Sequence, residues 1–531
     1  MEITMHCCGI APVSMRAYSA GAVAFISRPS AKPRGRILLS LIASLACSSA
    51  EAEPRDISGP RSHSPDELAE ARSQTISNPA VTFRSGRPKG AARLSGNSLP
   101  KAARSTTTGD SAEVTAKSRS QKQNDPFAKF EKLREKGAAF TGPGPADTVD
   151  QDTASVRSEL SDLGIGFAGW TLNTFINNQL GNAARSTIAN QQYVGQNPTF
   201  STVNSMIVTY DLARFGIPDG QIVVGAEHQY WTWKSAGPDR LGINAVSYYQ
   251  TLFERKIELK VGYLRNQHEF AGAGEKVFGP SSKMLFQAGM SNNWAPTPAL
   301  NLKYNFDDRL YNKLSIQRSL SPAGQYAHVS ENPTGLNWST RDAGILLLDE
   351  VCYKNKPTPG IPETWLRAGV GFNNSSYTDL QHPTQPTAKA NSVYYVAADR
   401  QFWQSAVHGS ASRGIYGGFS VMYAPPDLNR ASQYYELRLY AKGLFDSRPT
   451  DQMSLVVNNT IWSHFAVDAA LAKEQLAHRD STAISGLYTA HLAPGIYTTV
   501  GLTYINHPTS ITYTPQTGHA LNILVSTSVF F

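Results

Sequence analysis

The sequence predicts an all-β protein, a transmembrane antiparallel β-barrel of sixteen strands, preceded by short N-terminal helices and a disordered N-terminal segment. Three observations lead to this fold class. Charged residues make up only 17% of the 531 residues, below the roughly 25% of an ordinary soluble domain. No window has the about 18 uninterrupted apolar residues of a membrane-spanning helix. From residue 164 to 531, short segments of alternating polarity are separated by turn residues, which is typical of outer-membrane barrels.

Residues 1–52 are predicted to be a signal peptide. Basic residues precede an apolar core that runs from Ile37 to Ala46, and Ala50-Glu51-Ala52 supplies small residues at the −3 and −1 positions. We therefore expect cleavage after Ala52. Initiation at Met15 and lipidation at Cys47 are the alternatives that this segment leaves open.

The excess of positive charge lies in the N-terminal region. Residues 1–125 hold 17 Lys and Arg against 10 Asp and Glu, and the rest of the chain holds 32 against 31. A nearly neutral folded body lacks the basic patch of a nucleic-acid-binding protein, so no nucleic acid is expected as a partner. Cys7, Cys8 and Cys47 precede the expected cleavage site, which leaves Cys352 without a disulfide partner.

The next two segments are predicted to lie outside the barrel. Residues 53–124 are rich in Ser, Arg, Ala, Pro and Gly with few large apolar residues, a composition that cannot offset the entropy of folding. We expect a disordered linker there, with a basic arm as the alternative. Residues 125–163 are predicted to form short periplasmic helices, over 125–140 and 155–163, with a linker between them. Asp125 suits the start of the first helix and Gly137 its end.

Seventeen segments of the remaining chain, the predicted porin domain at 164–531, carry a strand pattern. From Ala520 to Phe531, for example, apolar side chains alternate with smaller or polar ones, and this period of two specifies a strand with two distinct faces. Single-chain bacterial barrels use even numbers of strands, so we expect sixteen, with the first or fourth segment the weakest. The candidates are 165–177, 203–213, 221–232, 245–253, 256–264, 283–290, 299–306, 312–320, 344–353, 363–373, 392–402, 414–424, 433–444, 452–463, 482–492, 496–506 and 519–531.

Alternation alone fits an exported soluble β-protein as well as a porin. Three features favour the porin. Aromatic residues such as Trp231, Tyr249 and Tyr504 lie near strand ends, where membrane interfaces require them. The strands are longer than those of soluble proteins. The chain ends in Phe531, which resembles the signal that outer-membrane insertion machinery recognises.

No enzyme is predicted. The sequence has no G-x-S-x-G and no His-Glu-x-x-His motif. Gly272 to Gly279 faintly resembles a phosphate-binding loop but lacks the Lys that should follow. The twelve histidines are dispersed without metal-ligand spacing. We therefore expect no catalytic residues, no metal site and no cofactor, and a barrel-embedded hydrolase is the alternative.

Charged side chains within the strands are predicted to face the lumen, because a charge on the lipid face near the midplane costs about 2–4 kcal/mol. Their mixed signs predict a hydrated channel whose charged groups hydrogen-bond sugar hydroxyls while aromatic planes stack on sugar faces. The alternative is that these charges pair and hydrate the pore. Glu436 and Arg438, about 7 Å apart along one strand, are expected to be too distant for a direct ion pair. The predicted channel-lining and substrate-binding residues are Glu227, Glu258, Lys260, Arg367, Glu436, Arg438 and Lys442.

Three stretches resemble the carbohydrate-selective porin (OprB) family. The first stretch is similar to the motif that opens the family's sequence, G-x-R-x-x-L-x-x-x-G-I. The second stretch is similar to the family motif R-x-G-K-x-D-x-N-x-x-F. The third stretch is similar to the motif R-G-L-x-x-F-x-R-x-G-x-x-P, which is followed by G-L-x-x-G-R-P-x-D. In the second stretch Tyr263 and Arg265 replace the Lys and Asp. The agreeing residues are Arg157, Leu160, Gly164 and Ile165 in the first, Gly262 and Phe270 in the second, and Gly414, Phe419, Pro425, Gly443, Leu444, Arg448, Pro449 and Asp451 in the third.

The resemblance covers about residues 155–531. It implies a sixteen-stranded barrel in the bacterial outer membrane that lets sugars diffuse passively into the periplasm. The expected partners are mono- or oligosaccharides and outer-membrane lipid, and the oligomeric state, monomer or trimer, stays open. The alternative function is an outer-membrane conduit or accessory for polysaccharide export.

Overall fold

The structure, a computed structural model, describes residues 125–138, 142–180, 198–232, 241–272, 284–405, 410–508, 510–512 and 518–531. Within these residues sixteen strands close into one antiparallel barrel, in which sequence neighbours pair and β1 pairs with β16. The predicted fold class and strand number are confirmed. The predicted signal peptide (1–52) and disordered segment (53–124) lie outside the described residues.

The strands run along the whole barrel domain, and the described helices are short. No helix of the described part is long and apolar enough to cross a membrane. The helices are α1 Ala128–Glu131, α2 Val156–Asp162, α3 Met284–Gln287, α4 Gln325–Glu331 and α5 His464–Leu471. The strands are β1 Ile165–Asn178, β2 Thr199–Asp211, β3 Gln221–Trp231, β4 Gly242–Leu252, β5 Ile257–Leu264, β6 Thr297–Asn305, β7 Leu310–Arg318, β8 Ile345–Asn355, β9 Thr364–Asn373, β10 Asn391–Gln404, β11 Gly414–Tyr423, β12 Ala431–Lys442, β13 Gln452–Trp462, β14 Asp480–Ala493, β15 Ile496–Asn506 and β16 His519–Phe530.

Short and long connections lie at opposite ends of the barrel. β1 begins and β16 finishes at the same end, where Gly169 and Phe531 exchange backbone hydrogen bonds of 3.3 and 2.8 Å. We call this the turn end, since links such as 253–256 join the strands there. The opposite end, the loop end, carries the longer connections such as 265–296 and 319–344. This asymmetry is typical of outer-membrane barrels.

The outward faces carry the apolar side chains. In β12, Leu437 and Leu439 are 66% and 52% exposed, whereas Arg438 between them is 3% exposed. A soluble sandwich has the reverse arrangement, with apolar residues inside. The observed arrangement places the apolar face against lipid and the charge in the lumen.

One of the seventeen candidate strands is wrong, and it is neither the first nor the fourth. Residues 283–290 include helix α3 and belong to the connection 265–296, which we call the inner loop. The described residues of this loop, 265–272 and 284–296, fold into the barrel, where their apolar side chains are buried against inward-facing residues. Periodicity cannot separate a short buried helix from a buried strand. The packed residues are Phe270, Met284, Leu285, Ala288 and Met290 of the loop and Leu346, Leu348, Val393, Tyr395 and Tyr434 of the wall.

The N-terminal helices are shorter than the sequence suggested. The second predicted helix, over 155–163, is present as α2. Of the first, predicted over 125–140, four residues are helical, from Ala128 to Glu131. The chain then leaves the helical path because its backbone bonds to the barrel wall instead. The Leu133 carbonyl accepts hydrogen bonds from Thr209 and Gln221.

Two glycines lie where a side chain would not fit, and both belong to the stretches that resemble the carbohydrate-selective porin family. Gly262 has φ +138° and Gly414 has φ +146°, in the region that L-residues avoid. A Cβ atom would lie 2.1 Å from the Val246 carbonyl oxygen at Gly262, and 1.9 Å from the Trp403 carbonyl oxygen at Gly414. These glycines therefore allow close approach of neighbouring strands.

Candidate functional site: the channel interior

The N-terminal residues 125–138, which we call the lumen segment, lie against inward-facing side chains of β2 to β5. The backbone N–H of Lys136 donates to Gln221 Oε1 at 2.9 Å, and Gln221 Nε2 donates to the Arg134 carbonyl at 2.9 Å. Phe130 and Leu133 are buried. The segment therefore occupies part of the lumen near the turn end.

Glu135 of the lumen segment anchors a first ion cluster. One carboxylate oxygen lies 3.0 Å from Lys260 Nζ on β5, and the other lies 2.8 Å from Arg265 Nη2 at the start of the inner loop. Lys260 Nζ is also 3.0 Å from Glu269 Oε1. Two cations and two carboxylates thus connect three separate parts of the chain: the lumen segment, the wall and the inner loop.

The environment in this cluster shifts the pKa values of Glu135 and His268, which lie outside the strands. Burial raises the pKa of Glu135, but Lys260 and Arg265 outweigh it and hold the pKa well below its ordinary value. Burial, aided by Arg265, lowers the pKa of His268 to about 4. At neutral pH the cluster therefore holds an ionised Glu135 beside a neutral His268.

Two more predicted residues lie on the same side of the barrel. Glu258 accepts from Lys303 Nζ at 2.7 Å and from the Tyr249 hydroxyl at 2.9 Å. Glu227 accepts from Gln229 Nε2 at 2.6 Å and from Asn244 Nδ2 at 3.4 Å. Glu258 is thus neutralised by a lysine, whereas Glu227 accepts hydrogen bonds from the side-chain amides of Gln229 and Asn244.

A second cluster lies on the opposite wall, on β9 to β12, and is centred on Asp399. Arg367 binds Asp399 Oδ2, and Arg438 Nη2 lies 3.1 Å from the same oxygen. The Tyr440 hydroxyl donates to Asp399 Oδ1 at 3.2 Å. Arg438 also donates to Ser420 at 2.7 Å and binds Glu436. Two arginines and two carboxylates therefore compensate one another on this wall.

A cavity of about 90 Å³ opens beside the second cluster. The rings of Tyr416 and Tyr440 stack on each other with centroids 5.0 Å apart. Lys442 Nζ lies 4.7 Å from the Tyr416 centroid, and Lys354 Nζ lies 4.1 Å from that of Trp365. The lining residues are Lys354, Glu363, Trp365, Asp399, Tyr416, Tyr440 and Lys442. Each of these rings thus contacts a lysine or a second ring, and the polar groups of Lys354, Glu363, Asp399 and Lys442 line the cavity beside them.

All seven sequence-predicted residues lie on inward faces of strands. Four of them are buried among other side chains: Glu227, Lys260, Arg367 and Arg438. The other three, Glu258, Glu436 and Lys442, are partly exposed. The structure brings Arg367, Glu436, Arg438 and Lys442 together around the second cluster and its cavity, and places Glu227, Glu258 and Lys260 on the other wall.

The expectation that Glu436 and Arg438 are too far apart for a direct ion pair is wrong. Arg438 Nη1 contacts Glu436 Oε1 directly. The backbone spacing of alternate residues is about 7 Å, but the long arginine side chain lies along the wall and closes this gap. The spacing of alternate residues along a strand therefore prevents direct contact between short side chains, but it does not prevent contact with the long side chain of an arginine.

Sequence reasoning missed the centres of both clusters. Asp399 lies in the candidate strand 392–402, but the adjacent charge of Arg400 left its face unassigned. Glu135 gave no signal, because its partners Lys260 and Arg265 are far away in the sequence. No group of three or more His, Cys, Asp or Glu residues in the described part of the chain could hold a metal ion.

The sequence profile of the carbohydrate-selective porin, OprB family, matches residues 146–517. The chain belongs to this family. It is an outer-membrane porin for sugars, which confirms the family and the function predicted from the sequence. The lumen segment of this porin precedes the matched region.

One solved structure of this family shows the same fold. The high-pH structure of Pseudomonas putida OprB is similar to this porin with a TM-score of 0.60 and 16% identity, over 72% of this chain and 97% of that one. The low-pH structure of the same protein has a TM-score of 0.46 and 15% identity, over 72% and 98% of the two chains. A mutant of Rhodopseudomonas blastica porin has a TM-score of 0.41 and 11% identity, over 69% and 100%. A search of curated proteins finds no match.

Proposed function

We propose that this porin lets neutral mono- and oligosaccharides diffuse passively between its two charged walls, without a catalytic step. The observation that carries this proposal is the mutual compensation of charges in both clusters. Paired charges leave a polar wall without a strong net field, and such a wall exchanges hydrogen bonds with sugar hydroxyls without retaining ions.

The seven predicted residues divide into two roles under this proposal. Glu258, Glu436 and Lys442 are partly exposed and meet the sugar directly. Arg367, at 1% exposure, and the likewise buried Glu227, Lys260 and Arg438 hold their neighbours in position. Asp399 belongs with the second group, since it accepts from both arginines of its cluster.

The proposal extends to the rest of the chain. Residues 1–52 act as a cleaved signal peptide that directs export to the outer membrane, and residues 53–124 form a disordered segment. Residues 125–163 connect this segment to the barrel at 164–531.

A polysaccharide conduit is less well supported. A polymer needs a wide, continuous lumen along its whole path. Here the lumen segment bonds to the wall of β2 to β5, and the inner loop packs against β8, β10 and β12 from inside. Two inward segments narrow the passage and favour small solutes over polymers.

Swelling of liposomes that contain the purified full chain tests this proposal. Vesicles should swell in glucose and maltose but not in a dextran polymer, and no sugar should be chemically altered. Lys442→Gln should slow the entry of sugar, while Lys473→Gln, at an exposed site of the described loop-end structure, should leave it unchanged. Swelling in dextran would favour the polymer conduit, and absence of swelling in glucose would overturn the proposal.

A further inference from the structure

We propose that the lumen segment occupies a binding site for sugar acids, and that the carboxylate of such a sugar displaces Glu135 and moves the segment aside. The inference rests on the proposed function, because the ligand must first enter the lumen as other sugars do. It adds a second substrate class, the uronates and aldonates, which carry a carboxylate beside several hydroxyls. We call Lys260 and Arg265, the two cations that hold Glu135, the carboxylate fork.

The carboxylate fork binds both oxygens of one carboxylate. Lys260 Nζ lies 3.0 Å from Glu135 Oε1, and Arg265 Nη2 lies 2.8 Å from Glu135 Oε2. Lys260 and Arg265 are 6% and 5% exposed, so they hold the carboxylate away from bulk water. Charge-assisted bonds to the two oxygens recognise the carboxylate group itself. The fork therefore suits the carboxylate of a ligand as well as that of Glu135.

Glu135 differs from the acid at the centre of the second cluster because it is not part of the wall. Asp399 lies on β10, whose pairing with β9 and β11 fixes its position. Glu135 lies on a segment outside the closed sheet, which is completed by the pairing of β1 with β16. The segment also precedes residues 146–517, which match the family profile. It can therefore leave the lumen without breaking the barrel.

A neutral sugar cannot take the place of Glu135. Within the described residues, Glu135 is the one acid that forms an ion pair with Arg265, whereas Lys260 keeps a second partner in Glu269 at 3.0 Å. Glu227 acts on Arg265 only at longer range and accepts its own hydrogen bonds from amides. A buried arginine without an anion is strongly unfavourable. A ligand carboxylate that arrives as the segment leaves keeps Arg265 paired.

The surroundings of the fork also offer a partner for a sugar hydroxyl. Ser247 on β4 lines the same pocket as Glu135, Lys260 and Arg265. Ser247 is 5% exposed, and within the described part of the chain its hydroxyl has no hydrogen-bond partner. A buried hydroxyl without a partner is unfavourable, and a hydroxyl beside the ligand carboxylate supplies one. This feature favours a sugar acid over a simple carboxylate such as acetate.

Calorimetric titration of the purified full chain tests the site. Glucuronate should bind, whereas glucose, which lacks the carboxylate, and acetate, which lacks the hydroxyls, should bind at least about tenfold more weakly. In Glu135→Gln the segment no longer competes for the fork, so the dissociation constant for glucuronate should fall at least about tenfold. Glu131→Gln, a change at an exposed site of the same segment, should bind glucuronate like the wild type. Equal affinities of the wild type and Glu135→Gln would overturn the inference.

A second pair of variants tests whether the ligand occupies the fork. In the Glu135→Gln background, Arg265→Gln should abolish glucuronate binding, and Arg265→Lys, which keeps the charge, should restore part of it. Heat-modifiable gel mobility shows whether each barrel is folded. Unchanged binding in a folded Glu135→Gln/Arg265→Gln chain would overturn the inference, and the labelling experiment below decides if that chain does not fold.

Thiol labelling with a membrane-impermeant reagent shows whether the segment moves. In a Cys352→Ser background, Leu133→Cys places a thiol at a buried position of the lumen segment, and Leu285→Cys places one at a buried position of the inner loop. Glucuronate, but not glucose, should speed the labelling at position 133 and leave that at position 285 unchanged. An unchanged rate at position 133, or an equal increase at both positions, would overturn the inference.

Failure of this inference can be distinguished from failure of the proposed function. Liposomes that swell in glucose, with a wild-type chain that does not bind glucuronate, would leave the sugar channel in place and reject the site for sugar acids. Liposomes that swell in neither sugar would reject both.

Discussion

The carboxylate of Glu135 lies 3.0 Å from the ammonium group of Lys260, and this contact joins the lumen segment to the inward wall of β5. The same carboxylate reaches Arg265 at the start of the inner loop. Lys260 continues the chain of contacts to Glu269. Both inward segments of the porin are therefore held in place by one cluster.

Glu135→Gln should release the lumen segment and raise the single-channel conductance. Removing one partner of a mostly buried charge pair costs about 3–5 kcal/mol, whereas each remaining hydrogen bond of the segment to Thr209 and Gln221 contributes about 1 kcal/mol. Glu131→Gln is the control, because Glu131 is 43% exposed in its pair with Arg134 and such surface pairs contribute about 1 kcal/mol or less. Equal conductance of the Glu135 variant and the wild type would show that the segment does not obstruct the channel.

The pH dependence of the conductance should reflect the same contact. Glu135 has a pKa held below its ordinary value of 4.5, so its ion pairs persist at and above that pH and are lost as the pH falls through the lowered pKa. His268, with a pKa of about 4, stays neutral over the same range. Conductance should stay constant from pH 7 to about 5 and rise well below 4.5.

The Glu135→Gln variant provides the control for the pH measurement. With no carboxylate at position 135, the acid-induced rise should be absent, and conductance should already be high at pH 7. A rise of the wild-type conductance between pH 5 and 7 would instead point to a group with an ordinary histidine pKa.

The strands could be predicted from the sequence because the alternation of apolar and polar side chains is a local property of the chain. Sixteen of the seventeen candidate segments are strands, and the inward placement of Arg438 followed from its apolar neighbours Leu437 and Leu439. The exception, 283–290, shows the limit. Its apolar residues look like a strand, and their partners, such as Leu346 and Val393, are identified only once the chain is folded.

The interior was harder to predict than the wall. We expected a polar lumen, yet Leu346 and Leu348 face inward because the inner loop covers them. In the run from Ile345 to Leu348 every residue is apolar, so polarity alone could not assign its faces. Asp349 and Glu350 are adjacent, and one of the two had to face the lipid.

Arg438→Ala should alter ion selectivity while the barrel stays folded. Asp399 keeps its contacts with Arg367 and Tyr440, so the variant loses one positive charge from the lumen and should favour cations. Leu439→Arg places a charge on the lipid face and should cost about 2–4 kcal/mol if it lies near the midplane. Reversal potentials in a salt gradient and unfolding in urea measure the two effects. An unfolded Arg438 variant beside a stable Leu439 variant would reverse the assignment of the faces.

Asp349 is an exposed acidic residue in the middle of β8, on the face that otherwise carries Leu347 and Val351. Its carboxylate accepts a hydrogen bond from Asn312 Nδ2 on β7. Asp349→Leu should raise the free energy of unfolding by about 1 kcal/mol, because it removes a charge from the lipid face. Asn312→Leu should lower that free energy instead, because the carboxylate stays and loses its amide donor. Urea unfolding in lipid vesicles measures both, and changes of the same sign would show that Asp349 does not face hydrocarbon.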